Sequence, residues 1–401
     1  MTGVPLSRSR TGVTPGETHG GDRRSTGGDA ALGRAAVGYV AIVGSIAFIL
    51  LPVLIGAAAR DGAYSQWQIG AIGSAPMFGM FAGAIFASGA LPLLFNRRGV
   101  SVVVLGLAFT YLLLLLTNHQ FVTTFAVLCA SGFAGATLMG VGFAVMAKAP
   151  SPDRAFAIWI AVQLTLGALA VPSFGWVMDK FGLAGGGVAL SVLAATCLPA
   201  LAMVPLSVLR YDVPPTLVPT PGLNGPIASG AALLAVVFFG AGIMAVWSTA
   251  EEVGRVATAS LTSARAILSA SLLVGIVAAL GSGWCSHRLP RRTVIAAGTA
   301  CAAIGAVLLA LTDMAYAFPL GVILLQFGWN LAPAPQLGVL TTIDPSGRLV
   351  VTNIAAMKLG YALGPLASGL LPGPINGPSH ATFVVACLTL SSIIFYRLDR
   401  Q

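Results

Sequence analysis

Long apolar segments alternate with short polar ones along most of the chain. Each apolar run reaches or approaches the roughly 20 residues that a helix needs to cross about 30 Å of hydrocarbon. The pattern therefore predicts an all-α membrane protein with twelve transmembrane helices. The predicted helices lie at residues 35–59, 67–94, 100–117, 121–147, 155–178, 183–208, 227–250, 263–286, 293–312, 316–340, 349–371 and 380–397.

The polar segments predict the domain organisation. Residues 1–33 are rich in Gly, Ser, Thr and Arg and poor in apolar residues, so we expect a disordered, cytoplasmic N-terminal tail. Six runs then fill residues 34–206, and six more fill residues 227–401. The segment between them, 207–226, contains five prolines, which predicts an irregular cytoplasmic linker rather than a helix.

Composition indicates that most of the protein surface faces lipid. Hydrophobic residues make up 57% of the 401-residue chain and charged residues only 8%, whereas a soluble protein carries about 25% charged residues. The net charge of +9 is therefore a signal of membrane topology, and we expect no nucleic-acid partner.

The basic residues predict the orientation in the membrane. Of the 21 Lys and Arg residues, sixteen fall on the side of the termini, Lys358 lies inside a span, and four fall on the opposite side: Arg60, Lys180, Arg255 and Arg265. Because Lys and Arg accumulate in cytoplasmic loops, both termini are predicted to be cytoplasmic. The expected location is the cytoplasmic (inner) membrane.

A short basic turn occurs twice, 194 residues apart. Gly89 begins the first copy, which ends in Arg97 and Arg98, and Gly283 begins the second. The second copy continues through His287 and Arg288 to Arg291 and Arg292. Repetition of this kind predicts a duplicated membrane protein whose halves each carry one cytoplasmic gating loop.

These turns resemble the loop signature of the major facilitator superfamily. All the named Gly and Arg residues match that signature, whereas His287 replaces its Asp. The resemblance implies two pseudo-symmetric six-helix bundles around a central cavity. It also implies a monomeric secondary active transporter that moves a small molecule across the membrane by alternating access.

A second repeated signature lies in the fifth and eleventh runs. Its residues are Gly167, Pro172 and Gly175, then Gly360, Gly364 and Pro365. The fifth-run copy resembles a motif that is frequent in exporters of this superfamily that exchange substrate for protons. Glycines also let helices pack closely and prolines bend them, so ordinary packing is the alternative.

Lys358 is the foremost candidate for binding. It lies near the middle of the eleventh run, where a lysine costs roughly 2.5–3.5 kcal/mol to insert. We predict that it contacts the substrate or the coupling ion and that Tyr361 faces the cavity beside it. Gly360 and Gly364 point elsewhere and can pack on a neighbouring helix. The alternative is that Lys358 binds backbone carbonyls freed where prolines break the tenth run.

Other polar residues within or at the ends of the spans are candidates for the substrate or ion pathway. Amides at mid-membrane either bridge helices or touch substrate, whereas the Trp329 ring either packs in the core or forms a wall of the central cavity. Glu251 and Glu252 end the seventh run. Glu251 either forms a surface ion pair with Arg255 at i+4 or belongs to an acidic vestibule. The remaining candidates are Gln163, Gln326, Trp329 and Asn330.

We find no nucleotide-binding glycine loop, metal-ligand cluster, flavin signature or hydrolytic constellation in the sequence, so we expect no cofactor, no metal and no enzymatic activity. A proton-coupled exporter of a small molecule is the preferred interpretation. The alternatives are an importer of a small organic anion, which suits the lone lysine, and a non-transporting membrane receptor.

The charge asymmetry gives a direct test of topology. Reporter fusions placed after Arg98, after Arg210 and at the C-terminus should report the cytoplasm, whereas fusions near His119 and Asp313 should report the outside, because positive loops remain inside. A confident reversal at any one of these five positions would contradict the twelve-span topology.

Overall fold

A computed structural model describes residues 23–205, 208–209, 226–286, 288–311, 314, 316–344, 348–373 and 377–400. All regular elements of the described part are helices, including a short 3-10 helix at Leu113–Leu116. Its α-helices are α1 Arg23–Ile49, α2 Leu51–Arg60, α3 Gln66–Leu94, α4 Arg97–Leu112, α5 Phe121–Ala147, α6 Pro152–Ala195, α7 Cys197–Ala202, α8 Pro226–Trp247, α9 Ala250–Thr258, α10 Leu261–Ser286, α11 Arg291–Leu309, α12 Ala317–Leu331, α13 Pro333–Ile343, α14 Arg348–Leu370 and α15 Pro378–Leu398.

Ten helical segments in the described part are long and apolar enough to cross a membrane. The prediction of an all-helical, multi-pass membrane protein is therefore confirmed. One of the ten, Arg154–Ala202, joins two predicted spans, and α14 lies outside the ten. The count of twelve spans and their division into two bundles remain predictions.

The long helix α6 reverses direction at Gly182. This residue has φ 64° and ψ −167°, a left-handed backbone region that glycine enters without a steric penalty. Before the turn, Trp159 lines a small cavity with Arg34 of α1. After the turn, Tyr39 of α1 lies 2.6 Å from Thr196, so the chain has returned to the same side of the molecule.

We call this side, where α1 begins and α15 ends, the terminal side, and the opposite side the far side. The first half of the described chain (residues 23–205) meets the second half (residues 226–400) towards the far side. A Cβ atom on Gly70 of α3 would lie 2.5 Å from the Pro365 carbonyl oxygen of α14, with Gly369 alongside. Small residues thus let α3 and α14 approach closely across the two halves.

Small residues also pack α14 against α8 within the second half. Gly360 faces the backbone of Val237, and Gly364 faces Ala241 and Ala245. These two glycines therefore occupy the face of α14 that is turned towards α8. Pro365, the next residue, contacts α3 instead, so α14 is in close contact with a helix on each side.

The N-terminal boundary differs from the sequence prediction. Residues 23–33 were assigned to the disordered tail, but α1 begins at Arg23. The Ala-rich sequence from Ala30 onwards favours helix, and the membrane-spanning helix extends back through it. Residues 1–22 and most of the predicted linker lie outside the described residues.

The contact between Gly364 and α8 gives a stability test. A methyl group at Gly364 would lie 2.5 Å from the carbonyl oxygen of Ala241 and 2.6 Å from the nitrogen of Ala245. Because backbone atoms cannot move aside cheaply, Gly364→Ala should cost about 1–3 kcal/mol and lower the thermal unfolding midpoint of the purified protein. Gly106→Ala is the matched control, since nothing lies within 4 Å of that position. An equal midpoint for the two variants would contradict the close packing.

Candidate functional site

Four aromatic side chains form a cluster in the middle of the molecule. Phe48 of α1 stacks on Tyr361 of α14 with ring centroids 5.3 Å apart, and it meets the edge of Trp329 of α12 at 5.4 Å. The indole nitrogen of Trp329 donates a hydrogen bond to the Tyr361 hydroxyl at 3.0 Å. Trp247, at the end of α8, lies 5.9 Å from Trp329. We call these four residues the aromatic cluster; it joins the two halves of the chain.

Lys358 lies against the aromatic cluster. Its Nζ atom is 4.7 Å from the centre of the Phe48 ring and 5.3 Å from that of Tyr361, and the residue is only 3% exposed. Among the described residues it has no ion pair or hydrogen bond. A desolvated cation–π contact contributes about 2 kcal/mol, which is comparable with the roughly 2.5–3.5 kcal/mol that a lysine costs in a membrane, but neither ring supplies a negative charge.

The alternative in which Lys358 binds carbonyls freed in the tenth run is not what the structure contains. The run does break, between α12 and α13, before Pro333. The Leu331 carbonyl at this break accepts a hydrogen bond from the Ser282 hydroxyl at 2.7 Å. One of the freed carbonyls is therefore satisfied from α10, and no described carbonyl accepts a bond from Lys358.

A cavity of about 700 Å³ lies between the terminal-side portions of α3 and α14, with α5 and α8 completing its wall. Lys358 lines it near its far-side end. Towards the terminal side, the lining residues Ser88 and Gly230 are exposed. The cavity therefore opens to the protein surface on the terminal side and ends at a buried cation near the aromatic cluster.

Four charged side chains meet on the far side, and we call them the four-charge cluster. The first half of the chain supplies Arg60 and Asp179, and the second half supplies Glu251 and Arg265. Arg265 contacts Asp179 at 2.5 and 2.8 Å and Glu251 at 3.0 and 3.2 Å. Arg60 contacts Glu251 at 2.9 Å and Asp179 at 3.2 Å. Two cations and two anions thus balance, and every pair except Arg60–Asp179 and Glu251–Arg265 crosses between the halves.

The four-charge cluster corrects the expected pairing of Glu251. Glu251 does not pair with Arg255 at the surface; its side chain is completely buried between Arg60 and Arg265. Arg255 pairs with Glu252, its neighbour at i+3 on α9. Successive residues of a helix point about 100° apart, so α9 turns Glu251 inward and leaves Glu252 beside Arg255.

Comparison with known proteins identifies the fold of the chain. No family model and no curated protein sequence matches the chain. The crystal structure of the nucleoside transporter NupG superposes with a TM-score of 0.66, at 12% identity over 91% of this chain and 98% of NupG. That of the human organic anion transporter MFSD10 gives 0.60, at 16% identity over 92% and 99%. The chain has the major facilitator fold.

A third structure with the major facilitator fold was solved in a named conformation. It is a bacterial homologue of the human lysosomal transporter Spinster, in an inward-facing and unoccupied conformation. It superposes with a TM-score of 0.62, at 15% identity over 95% of this chain and 98% of the homologue. At such identities the likeness concerns the fold, so residue roles must be argued from this chain.

The amide side chains that were predicted to belong to the substrate or ion pathway do not lie together in the structure. Gln163 donates a hydrogen bond to Ser45 of α1 at 2.8 Å and so bridges two helices of the first half. Asn330 donates to the carbonyl oxygen and the side-chain oxygen of Gln326, one turn earlier on α12. The side-chain nitrogen of Gln326 is buried without a partner in the described part of the chain. The structure thus groups Lys358 with Tyr361 and Trp329, but not with these amides.

The two basic turns brace helices within each half. Arg97 donates to the Val204 carbonyl at the end of the first half. Arg291 donates to Gly338 at 2.9 Å and to the Thr342 hydroxyl at 2.8 Å, both on α13. The other turn residues lie at the surface: Gly89, Arg98 and Gly283 are exposed, Arg288 lies over Trp284, Arg292 lies over Tyr396, and His287 is outside the described residues.

Two glycines of the exporter-like signature of α6 lie next to α10 of the opposite half. A Cβ atom on Gly167 would lie 2.6 Å from Ile49 of α1 and 3.5 Å from Leu272 of α10. Gly175 accommodates the Arg265 side chain, and a Cβ atom there would lie 2.7 Å from its Cδ. Pro172, between them, is exposed. The signature therefore leaves room for a member of the four-charge cluster.

Sequence reasoning missed Arg60, Asp179 and Arg265 as site residues. Asp179 is held by two guanidinium groups. A usable signal was present, because Arg60 and Arg265 are two of the four cations on the predicted outer side. Basic residues on the outer side run against the positive-inside bias. Here Arg60 and Arg265 both pair with the two carboxylates.

Removing one cation should loosen the far side. Losing one partner of a buried ion pair costs about 3–5 kcal/mol, and Arg60 can compensate only part of this. In Arg265→Gln, spin labels at Ser65 and Ser263 should therefore show longer and broader distances by double electron–electron resonance. Arg255→Gln is the matched control, since the Arg255–Glu252 pair lies within one helix. Identical distance distributions for Arg265→Gln and the parent would contradict a role for the cluster in closing this side.

Proposed function

We propose that the chain is a secondary active transporter that moves an organic anion across the cytoplasmic membrane by alternating access, with Lys358 binding the negative charge of the substrate. The observation that carries this proposal is the position of Lys358. It is a buried cation without an acidic partner among the described residues, and it lines a cavity of about 700 Å³ that is open on one side. A bound anion would provide the missing counter-charge.

Alternating access is supported by the contrast between the two sides of the molecule. The four-charge cluster bridges the two halves on the far side, while the cavity is open on the terminal side. The positive-inside bias makes the terminal side cytoplasmic, so this conformation corresponds to an inward-facing state. The inward-facing Spinster homologue has the same fold. Transport would then require the four-charge cluster to separate as the cytoplasmic side closes.

Among the possible transport functions, we propose export in exchange for protons as the first candidate. Its support is the signature Gly167, Pro172 and Gly175, whose two glycines lie against α10 of the other half, at the interface that must move. The described carboxylates near the far side include Glu251, Glu252, Asp179 and Asp61. The second candidate is import of an organic anion through the same site, and the human organic anion transporter MFSD10 shares the fold. A receptor would bind an anion without moving it.

The experiment begins with binding and continues to transport. Purified protein is screened for thermal stabilisation by carboxylates, sulfonates and phosphate monoesters, and the best ligand is then followed in inverted and right-side-out membrane vesicles. Lys358→Ala should lose at least tenfold in transport because the buried counter-charge is gone, and Lys358→Arg should retain part of it. Export predicts proton-driven uptake into inverted vesicles, import predicts uptake into right-side-out vesicles, and a receptor gives neither.

Lys180→Ala is the matched control for this experiment. Lys180 also lies over an aromatic ring, that of Trp176 at 5.8 Å, but it is exposed on the far side. Its replacement should leave transport unchanged. Near-normal transport by folded Lys358→Ala would overturn the assignment of the binding site.

A further inference from the structure

We infer that the transported anion is amphipathic, with its acidic head against Lys358 and an apolar tail in the cavity between α3 and α14. This inference rests on the proposed transport function and names its substrate class. It is carried by the chemistry of the cavity wall, by the environment of the Lys358 amine and by the position of that amine near one end of the cavity.

The cavity wall is almost entirely hydrocarbon. Of the residues that line it, only Ser88, Thr352 and Lys358 carry polar side chains. The Ser88 hydroxyl already donates to the Ile85 carbonyl at 2.7 Å. A solute with many hydroxyl or amide groups would lose hydrogen bonds to water here without replacement. An alkyl or aryl chain would lose none and would gain burial of its apolar surface.

The polar recognition in this cavity is concentrated near its far-side end. The faces of Phe48 and Tyr361 lie on one side of the Lys358 amine, so a ligand must approach from the cavity side. Trp329 and Tyr361 satisfy each other through their hydrogen bond, and the ammonium N–H groups remain to be paired. A single anionic head such as a carboxylate or sulfonate fits that requirement, whereas a cationic head would be repelled.

The volume of the cavity suits an amphipathic anion. A cavity of about 700 Å³ falls within the roughly 300–1,000 Å³ of small-molecule sites. It extends along α14 from Thr352 to Lys358, which is about 9 Å at 1.5 Å per residue. The head at Lys358 therefore leaves most of the cavity to the rest of the molecule. A small, compact anion would leave the apolar walls of Ala84, Leu233 and Ala355 uncovered.

A series of n-alkanesulfonates tests this inference, because their charge does not vary with pH. Binding to the full chain in lipid nanodiscs is measured by thermal unfolding with butane-, hexane- and octanesulfonate. Each added methylene should tighten binding by up to about fourfold, so octanesulfonate should bind at least tenfold more tightly than butanesulfonate. Octanol and octyltrimethylammonium, with the same tail and no negative charge, should bind at least tenfold more weakly than octanesulfonate.

Variants separate the head from the tail. Lys358→Gln should abolish the preference for octanesulfonate over octanol. Ala355→Phe narrows the tail cavity and should weaken octanesulfonate at least fivefold while weakening butanesulfonate less, because the shorter tail passes fewer of the wall residues. Ala84→Leu, on the opposite wall, should act in the same direction and serves if Ala355→Phe does not fold. Ala126→Phe, an exposed position of α5 outside the cavity, should change neither ligand.

The outcomes distinguish this inference from the proposed function. Equal binding of butane- and octanesulfonate, or unchanged octanesulfonate binding in both cavity variants, overturns the amphipathic substrate while leaving anion binding at Lys358 in place. Unchanged binding of all sulfonates in Lys358→Gln overturns the anion site itself. A larger loss of octanesulfonate than of butanesulfonate in the cavity variants, together with loss of the sulfonate preference in Lys358→Gln, supports both.

Discussion

The pairing of two guanidinium groups with two carboxylates across the halves of the chain is the interaction on which this conformation depends. Each arginine contacts both carboxylates, and Glu251 is completely enclosed. Buried charges are tolerated only when they are paired and hydrogen-bonded, so each half supplies what the other requires. With the far side joined in this way, the helices separate instead towards the terminal side, and the cavity lies there.

The general architecture follows from sequence because the bilayer restricts the possible structures so strongly. Apolar length predicts helices, and the structure is helical in the described residues. The face of a helix on which a residue lies can also be predicted from its position in the sequence. Gly360 and Gly364 were predicted to pack on a neighbour away from Lys358, and they face α8 while Lys358 lines the cavity. Tyr361 was predicted to face the cavity beside Lys358. It packs into the aromatic cluster instead and does not line the cavity.

Contacts between distant segments could not be read from the sequence. Glu251 has a cation within reach on its own helix, Arg255, and the local pair is the obvious choice. Its actual partners, Arg60 and Arg265, come from α2 and α10. Helix periodicity says which residues share a face, but it does not say which helix that face meets. The same limit applies to Phe48, whose contact with Lys358 depends on how α1 meets α14.

The aromatic cluster has a consequence for observing the protein at work. Phe48 belongs to the first half, whereas Trp247, Trp329 and Tyr361 belong to the second. Any rotation that parts the two halves at this level must withdraw Phe48 from the indole of Trp329 and change the polarity around it. Indole emission responds to such a change in colour and intensity. The chain thus carries a native optical probe beside its candidate binding site, and its conformational cycle can be followed without an added dye.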